Sequence, residues 1–287
     1  MKMTRVDTIS SGPFNVALRA RMQLALAAAM ERLGRHRFDP RDFEIVPLAV
    51  AIPRLDSAFD GYRIVHLSDI HMGHWMTAAR LAGLAQLVND QSPDLVAITG
   101  DFVSYVLDEV AADLVAGLSL LRPRDIAVAT LGNHDHWLGA AGVRRLLWQG
   151  GITDLSNDVC TVHRHGARLH IAGVDDVIVG QDRLDTVLNK LPSLDAAVLL
   201  CHEPDFADVS AASGRFHLQL SGHSHGTQLV LPRVGTFIRG HYFRKYPIGR
   251  YEVNGMTLYT NRGVGTNTIR LRINCPPEIT VITLRST

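Results

Sequence analysis

Five short apolar segments of this chain each end in a cluster of Asp, Asn, His or Gly residues, and this recurrence constrains the fold more than any other feature. The apolar segments are residues 63–67, 95–99, 127–131, 197–201 and 218–220. Continuous apolar runs of this length are typical of strands that are buried on both faces of a sheet. Because α/β folds place ligand-binding loops at the ends of such strands, the polar clusters are candidates for one common site.

The segments between these runs predict helices, and the last third of the chain predicts strands with little helix between them. Apolar spacing of three to four residues predicts helices at residues 77–90, 108–121, 139–149 and 182–191. Further strands are expected at residues 45–52, 169–174, 228–231, 249–253, 257–259 and 279–284. Pro47 favours an edge strand, and Asn254-Gly255 predicts a hairpin turn. The expected fold class is therefore α/β, with two mixed β-sheets packed as a sandwich and flanking helices.

The N-terminal segment predicts an amphipathic helix over residues 15–33 that precedes the strands. We expect it to pack on the protein; the alternative is a helix lying in the plane of a membrane, as Arg19, Arg21 and Arg32 would favour. Residues 1–42 are thus interpreted as a helix and lead-in, and residues 43–287 as a single domain. Charged residues interrupt the only N-terminal candidate for a signal peptide, so a cytoplasmic protein is expected, with peripheral inner-membrane contact left open.

Composition excludes several classes of function. A formal net charge of +1 without long runs of like charge argues against a general nucleic-acid binder. Three scattered cysteines indicate neither a disulfide framework nor a thiolate zinc site. The 14 histidines are abundant, which motivates a search for metal ligands.

The polar clusters supply oxygen and imidazole donors without a thiolate. They are Asp69-Ile70-His71, Gly100-Asp101, Gly132-Asn133-His134-Asp135, His202-Glu203 and Gly222-His223-Ser224-His225. Such a set suits Mn, Fe or Zn ions. The glycines permit tight turns or a positive φ where the strands end.

These motifs, in this order, resemble those of the calcineurin-like metallophosphoesterase superfamily. The resemblance implies two divalent metal ions, a calcineurin-like fold and hydrolysis of a phosphodiester or pyrophosphate by a metal-bridging hydroxide. The implied ligands are Asp69, His71 and His225 for one ion, Asn133, His202 and His223 for the other, and Asp101 for both. His134 would stabilise the transition state or protonate the leaving oxygen, and Asp135 would orient His134.

Four further segments are similar to one bacterial branch of that superfamily, which contains YkuE-type and YaeI-type phosphodiesterases. These segments are residues 62–69, 202–205, 258–265 and 276–279. A UDP-2,3-diacylglucosamine pyrophosphatase of lipid A synthesis is similar to this branch, so that activity is an alternative. An alternative of another class is a non-catalytic, metal-stabilised module that binds a membrane or a protein.

Several residues near the motifs are candidates for binding a phosphorylated small-molecule or lipid-linked substrate. His74 and His136 follow the metal motifs, as do Trp75 and Trp137, for which structural packing is equally expected. Arg244, in the cationic and aromatic segment 239–246, and Arg262 are candidates for binding phosphate. A solvated loop is the alternative for that segment, and the sequence leaves the oligomeric state open.

Overall fold

Two six-stranded sheets form the centre of the computed structural model, which describes residues 38–192, 195–231, 236, 240–267 and 271–287. The strands are β1 (Glu44–Ile52), β2 (Arg63–Leu67), β3 (Leu95–Thr99), β4 (Ile126–Thr130), β5 (Thr153–Asp154), β6 (Asp158–Arg164), β7 (Ala167–Gly173), β8 (Ala197–Leu200), β9 (Leu218–Ser221), β10 (Gly249–Val253), β11 (Met256–Thr260) and β12 (Glu278–Ser286). The described helices are α1 (Ala78–Asp90), α2 (Ala111–Leu118), α3 (Asn133–Leu138), α4 (Ala140–Gln149), α5 (Leu184–Lys190) and α6 (Ala207–Ala212).

Both sheets mix parallel and antiparallel pairs. The first has the order β1-β12-β2-β3-β4-β5, and β12 runs antiparallel to β2 while the remaining pairs are parallel. The second has the order β10-β11-β9-β8-β7-β6, in which β10 and β6 run antiparallel to their neighbours. The predicted fold class is confirmed.

Strand β3 shows why the apolar segments are continuous. Leu95 and Ala97 belong to the core that both sheets share, whereas Val96 and Ile98 pack under helices α1, α2 and α4. A strand covered on both faces needs apolar side chains at every position, because neighbouring residues point to opposite faces. A third cluster fills the outer face of the second sheet under α5 and α6.

Local signals account for several of the element ends and turns. Strand β1 lies at the edge of its sheet, as Pro47 predicted, because a proline cannot donate to a second neighbour. Asn254 and Gly255 have φ values of 48° and 81°, as the predicted hairpin turn between β10 and β11 requires. The Thr77 side chain caps α1 by accepting from the Arg80 amide.

One strand prediction was wrong. Residues 228–231 form isolated bridges instead of a strand, one of them between Leu229 and Ile273, because Gln228 has a left-handed backbone and interrupts an extended segment. The predicted N-terminal helix lies outside the described residues, so the division at residue 42 stays a prediction. Among the described helices, none has the length and apolar character needed to cross a bilayer.

Candidate metal centre

The carboxyl ends of five parallel strands, three from the first sheet and two from the second, bring the motif residues together. Asp69 and His71 follow β2, Asp101 follows β3, and Asn133 begins α3 just after β4. His202 follows β8, whereas His223 and His225 follow β9. The sandwich places these strand ends at one edge, so segments distant in sequence become neighbours.

Four of the predicted ligands form a buried cluster. The ligand atoms of Asp69, His71, Asp101 and His225 all lie within 4.8 Å of one another. His225 Nε2 lies 3.2 Å from Asp69 Oδ1, and His71 Nε2 lies 3.4 Å from Asp101 Oδ2. Two carboxylates and two imidazoles at these separations surround a space that suits a divalent cation.

Asp101 also faces a second group of predicted ligands. Its Oδ2 atom lies 3.4 Å from His202 Nε2, the same separation as from His71 Nε2. The His202 ring lies 5.0 Å from the His223 ring, centroid to centroid. A Cβ atom on Gly132, which precedes Asn133, would collide with Asp101 and His202, so Asn133 begins its helix directly beside them.

Several buried side-chain atoms of the predicted ligands have no hydrogen-bond partner among the described residues. They include Asp69 Oδ1, Asn133 Oδ1, His202 Nε2 and His223 Nδ1. An unpaired buried polar atom costs about 1–3 kcal/mol, and bound cations would remove that cost. The donor set therefore fits a pair of metal ions.

Hydrogen bonds select which imidazole nitrogen faces the space. His202 Nδ1 donates to the Thr99 carbonyl at 2.6 Å, so that in the neutral ring the lone pair is on Nε2. His223 Nε2 donates to the His241 carbonyl at 3.0 Å, which leaves Nδ1 free. Ligating histidines are commonly fixed in one tautomer in this way.

Burial controls the protonation of most of these histidines. It lowers the pKa of His71 and His225 well below the ordinary value, and that of His223 to about 3, so all three rings are neutral. Burial also acts to lower the pKa of His202. The neighbouring Asp101 carboxylate outweighs this effect of burial and raises the pKa of His202 well above its ordinary value. Neutral imidazole is the form that binds a metal, so a cation would compete with the His202 proton.

The carboxylates respond differently to the same surroundings. Burial raises the pKa of Asp69 to about 6. For Asp101, burial is outweighed by the neighbouring His202 and His134, which hold its pKa well below the ordinary range. Asp101 is therefore an anion at neutral pH, as a carboxylate that binds cations must be.

The backbone of the site is unusual. Five predicted ligands other than glycine have a positive φ: Asp69, His71, Asp101, His223 and His225, with values between 49° and 66°. Left-handed backbone at such residues is uncommon and costs on the order of 1 kcal/mol each. Strain of this kind concentrates at functional sites.

The motif glycines serve two different needs. Gly100 has a φ of 82°, as predicted. Gly132 has a φ of −117°, so its role is close approach instead, since a Cβ there would overlap Asp101. Gly222 likewise lets its strand end pass against the side chains of Ser68 and Asp69.

His134 lies beside the cluster. Its ring stands nearly perpendicular to His71 at 4.8 Å, and its amide donates to Asp101 Oδ1 at 2.9 Å. Nδ1 contacts the Ser104 carbonyl at 3.1 Å, and Nε2 lies 3.2 Å from Asn267 Nδ2. These contacts hold the ring in place.

Asp135 was expected to orient His134, but no hydrogen bond between the two side chains is found among the described residues, and this role stays a prediction. Its carboxylate accepts the backbone N–H groups of Asp101, Phe102, Val103 and Gly132 at 2.9–3.3 Å. These are the loops that carry Asp101 and Asn133, so Asp135 shapes the backbone of the site. Asp135 is fully buried at the start of α3, where these amide groups surround it.

The predicted substrate residues have protein partners. His74 is buried and shares a 2.8 Å hydrogen bond with Thr266 Oγ1, and His136 Nε2 lies 2.7 Å from Asp175 Oδ1. Arg262 forms ion pairs with Glu278 and Glu44, and the exposed Arg244 donates its amide to Asp205. The His74 amide also donates to the carbonyl of the cluster residue His71 at 3.2 Å, and the substrate roles of all four residues stay predictions.

Sequence reasoning missed Arg272. Its guanidinium donates to the carbonyl oxygens of Arg262, Gly263, Gly265, His225 and Cys275 at 2.5–3.3 Å. Burial lowers the pKa of this arginine. It joins the His225 loop to the 262–265 loop, which packs against Asp69, and no local sequence signal identifies such a role.

Comparison with known proteins agrees with the geometry. Residues 62–227 match the calcineurin-like phosphoesterase family. Metallophosphoesterase YkuE of Bacillus subtilis is 34% identical over 254 residues, covering 87% of this chain and 88% of that protein. Phosphodiesterase YaeI of Escherichia coli is 28% identical over 256 residues, covering 87% and 91%. The NAD nucleotidase structure from Haemophilus influenzae aligns at 18% identity with a TM-score of 0.46, over 70% of this chain and 45% of that one. The chain belongs to the calcineurin-like phosphoesterase family.

Proposed function

We propose that this protein is a phosphohydrolase that uses two divalent metal ions to cleave a phosphodiester or pyrophosphate bond. The observation that carries the proposal is the position of Asp101, whose Oδ2 atom lies 3.4 Å from both His71 and His202. A shared carboxylate of this kind can hold two cations about 3.5–4 Å apart.

The ligand assignment follows from the two groups that Asp101 faces. Asp69, His71 and His225 would hold one ion, and Asn133, His202 and His223 the other. The unpaired buried atoms of Asp69, Asn133, His202 and His223 support this division. Mn, Fe or Zn ions suit the donors, and when bound they would supply an activated water and offset charge on the phosphoryl group.

His134 is proposed to act on the leaving oxygen. Because Nδ1 faces the Ser104 carbonyl, Nε2 is the atom that can transfer a proton. Asn267 lies 3.2 Å from that atom and limits rotation of the ring. Asp135 supports the reaction indirectly, through the backbone amides of the Asp101 loop.

Hydrolysis of bis(p-nitrophenyl) phosphate with Mn²⁺ tests this function. Wild type should turn over, whereas Asp101→Asn and His134→Ala should each abolish activity. His163→Ala is the matched control, since His163 is exposed on β6, and it should behave like wild type. Activity that survives both site substitutions would refute the mechanism, and a protein that binds metal without turnover would favour the non-catalytic module.

The substrate within this class is a separate question. Resemblance to the lipid A branch makes UDP-2,3-diacylglucosamine pyrophosphatase activity an alternative. Assaying that nucleotide beside generic diesters decides between them, since a strong preference for it would establish the pyrophosphatase. A peripheral membrane contact through the predicted N-terminal helix would suit such a lipid-linked substrate.

A further inference from the structure

Trp137 stands on the same face of α3 as the proposed proton donor. The helix begins at Asn133, so Trp137 is four residues beyond a predicted ligand and three beyond His134. Residues three and four apart on a helix are neighbours on its surface. The centroids of the His134 and Trp137 rings are 4.7 Å apart, at an interplanar angle of 54°.

The indole is 62% exposed, although large aromatic side chains usually contribute to cores. Trp75, which follows the first metal motif, shows the ordinary alternative: it is partly buried, contacts Phe43 and carries the Arg80 guanidinium 3.8 Å above its ring. The protein therefore covers one of its two motif-adjacent tryptophans and leaves the other open.

Exposure alone does not identify a binding residue, because Trp148 on α4 is 78% exposed. Trp148 lies with Arg144, Thr153 and Asp154, away from the motif residues. What distinguishes Trp137 is its contact with His134. Trp148 is thus a natural control.

A second aromatic ring borders the same histidine. The Tyr105 ring lies 6.0 Å from His134 and 6.4 Å from the buried His74. Its hydroxyl lies 3.4 Å from Asn267, the residue that also contacts His134 Nε2. A group attached to the leaving oxygen would therefore lie next to the Trp137 and Tyr105 rings where it extends beyond the metal centre.

We propose that Trp137 determines specificity by stacking on a flat aromatic group, an aryl ring or a nucleobase, attached to the leaving oxygen of the substrate. The inference rests on the proposed function, because His134 locates the leaving oxygen. Stacking on tryptophan tolerates many ring types, since each presents a π face. It distinguishes flat aromatic leaving groups from acyl chains and simple alcohols.

The test compares Trp137→Leu and Trp137→Phe with Trp148→Leu. Leucine keeps an apolar side chain against His134 but removes the π face, whereas phenylalanine retains it. For bis(p-nitrophenyl) phosphate and for a nucleoside 2′,3′-cyclic monophosphate, Trp137→Leu should lower kcat/KM about ten-fold or more on at least one, mainly through KM. The substrate whose kcat/KM falls indicates whether Trp137 stacks on an aryl ring or on a nucleobase. Trp137→Phe should keep most of the wild-type kcat/KM, because the phenyl ring retains a π face.

Competitive inhibition by inorganic phosphate shows whether the substitution has damaged the metal site, because such damage would change the inhibition constant of phosphate. Its inhibition constant should stay within about two-fold in Trp137→Leu. Full activity of Trp137→Leu on both substrates, or an equal loss in the leucine and phenylalanine variants, would overturn the inference. A wild-type protein without metal-dependent hydrolysis would instead overturn the proposed function, so the two failures are distinguishable.

Discussion

The Nε2 atoms of His71 and His225 lie 3.0 Å apart in a buried site, with Asp69 Oδ1 3.2 Å from the second of them. Burial keeps the pKa of both rings low, so each is neutral and carries one proton at most. Two imidazoles turned toward one carboxylate are readily explained as ligands of a shared cation.

Removing metal should therefore destabilise the protein. Chelator treatment is expected to lower the melting temperature, and Mn²⁺ or Zn²⁺ should restore it, since an ion at about 100 times its Kd stabilises the native state by about 2.7 kcal/mol. Thermal unfolding monitored by circular dichroism measures this. Asp69→Asn should lose the metal-dependent increment, whereas His163→Ala should keep it; an equal increment in both would contradict the assignment.

Asp135 should matter for stability as well as for activity. Asparagine would turn an amide N–H₂ toward backbone donors that now meet two carboxylate oxygens. We expect Asp135→Asn to lower the free energy of unfolding by about 1–3 kcal/mol, the cost of leaving buried donors without an acceptor, and to reduce turnover because the Asp101 loop shifts. Urea unfolding with Asp113→Asn, an exposed aspartate on α2, provides the control. Loss of turnover with unchanged stability would contradict this role.

The sequence predicted where the strands end and which Asp, Asn and His residues follow them, because both features are visible in short stretches of sequence. Hydrophobic runs identified β2 and β3 to the residue, and the donor types after them were visible at once. The role of Asp135 was not visible, because its partners at residues 101–103 lie more than thirty positions away. Gln228 was misassigned for a similar reason: its side chain and backbone are held by Leu271 and Ile273, which no local pattern near it reveals.

Arg272 provides a test of such long-range support. Lysine has one ammonium group and cannot reproduce a planar fork that reaches five carbonyl groups. We expect Arg272→Lys to weaken metal binding about ten-fold, the lower range reported for groups that hold ligands in place. Calorimetric titration of the metal-free protein with Mn²⁺ measures this. Arg285→Lys, an exposed arginine paired with Asp60, should bind metal as wild type does. Equal Mn²⁺ affinities of the two variants would show that Arg272 does not hold the metal ligands in place.

His136 and Asp175 should make stability depend on pH. Their 2.7 Å hydrogen bond raises the pKa of His136 above 6.5, and Asp175 has a pKa below 3.8, since its bonds to His136 and the Asp176 amide outweigh burial. The contribution of His136 to stability is present below pH 6.5 and is lost as the pH rises through its raised pKa. The contribution of Asp175 is present above pH 3.8 and is lost as the pH falls through its lowered pKa. Two further charges face the pair: Asp176 raises and Arg144 lowers the pKa of His136, and the net shift of that pKa is upward. His136→Gln should therefore lower the free energy of unfolding by on the order of 1 kcal/mol more at about pH 5.5 than at about pH 9, because the ring keeps some contact with solvent. Urea unfolding at both pH values, with the exposed His163→Gln as control, measures the difference. The same loss at both pH values would mean that the pair acts only as a neutral hydrogen bond.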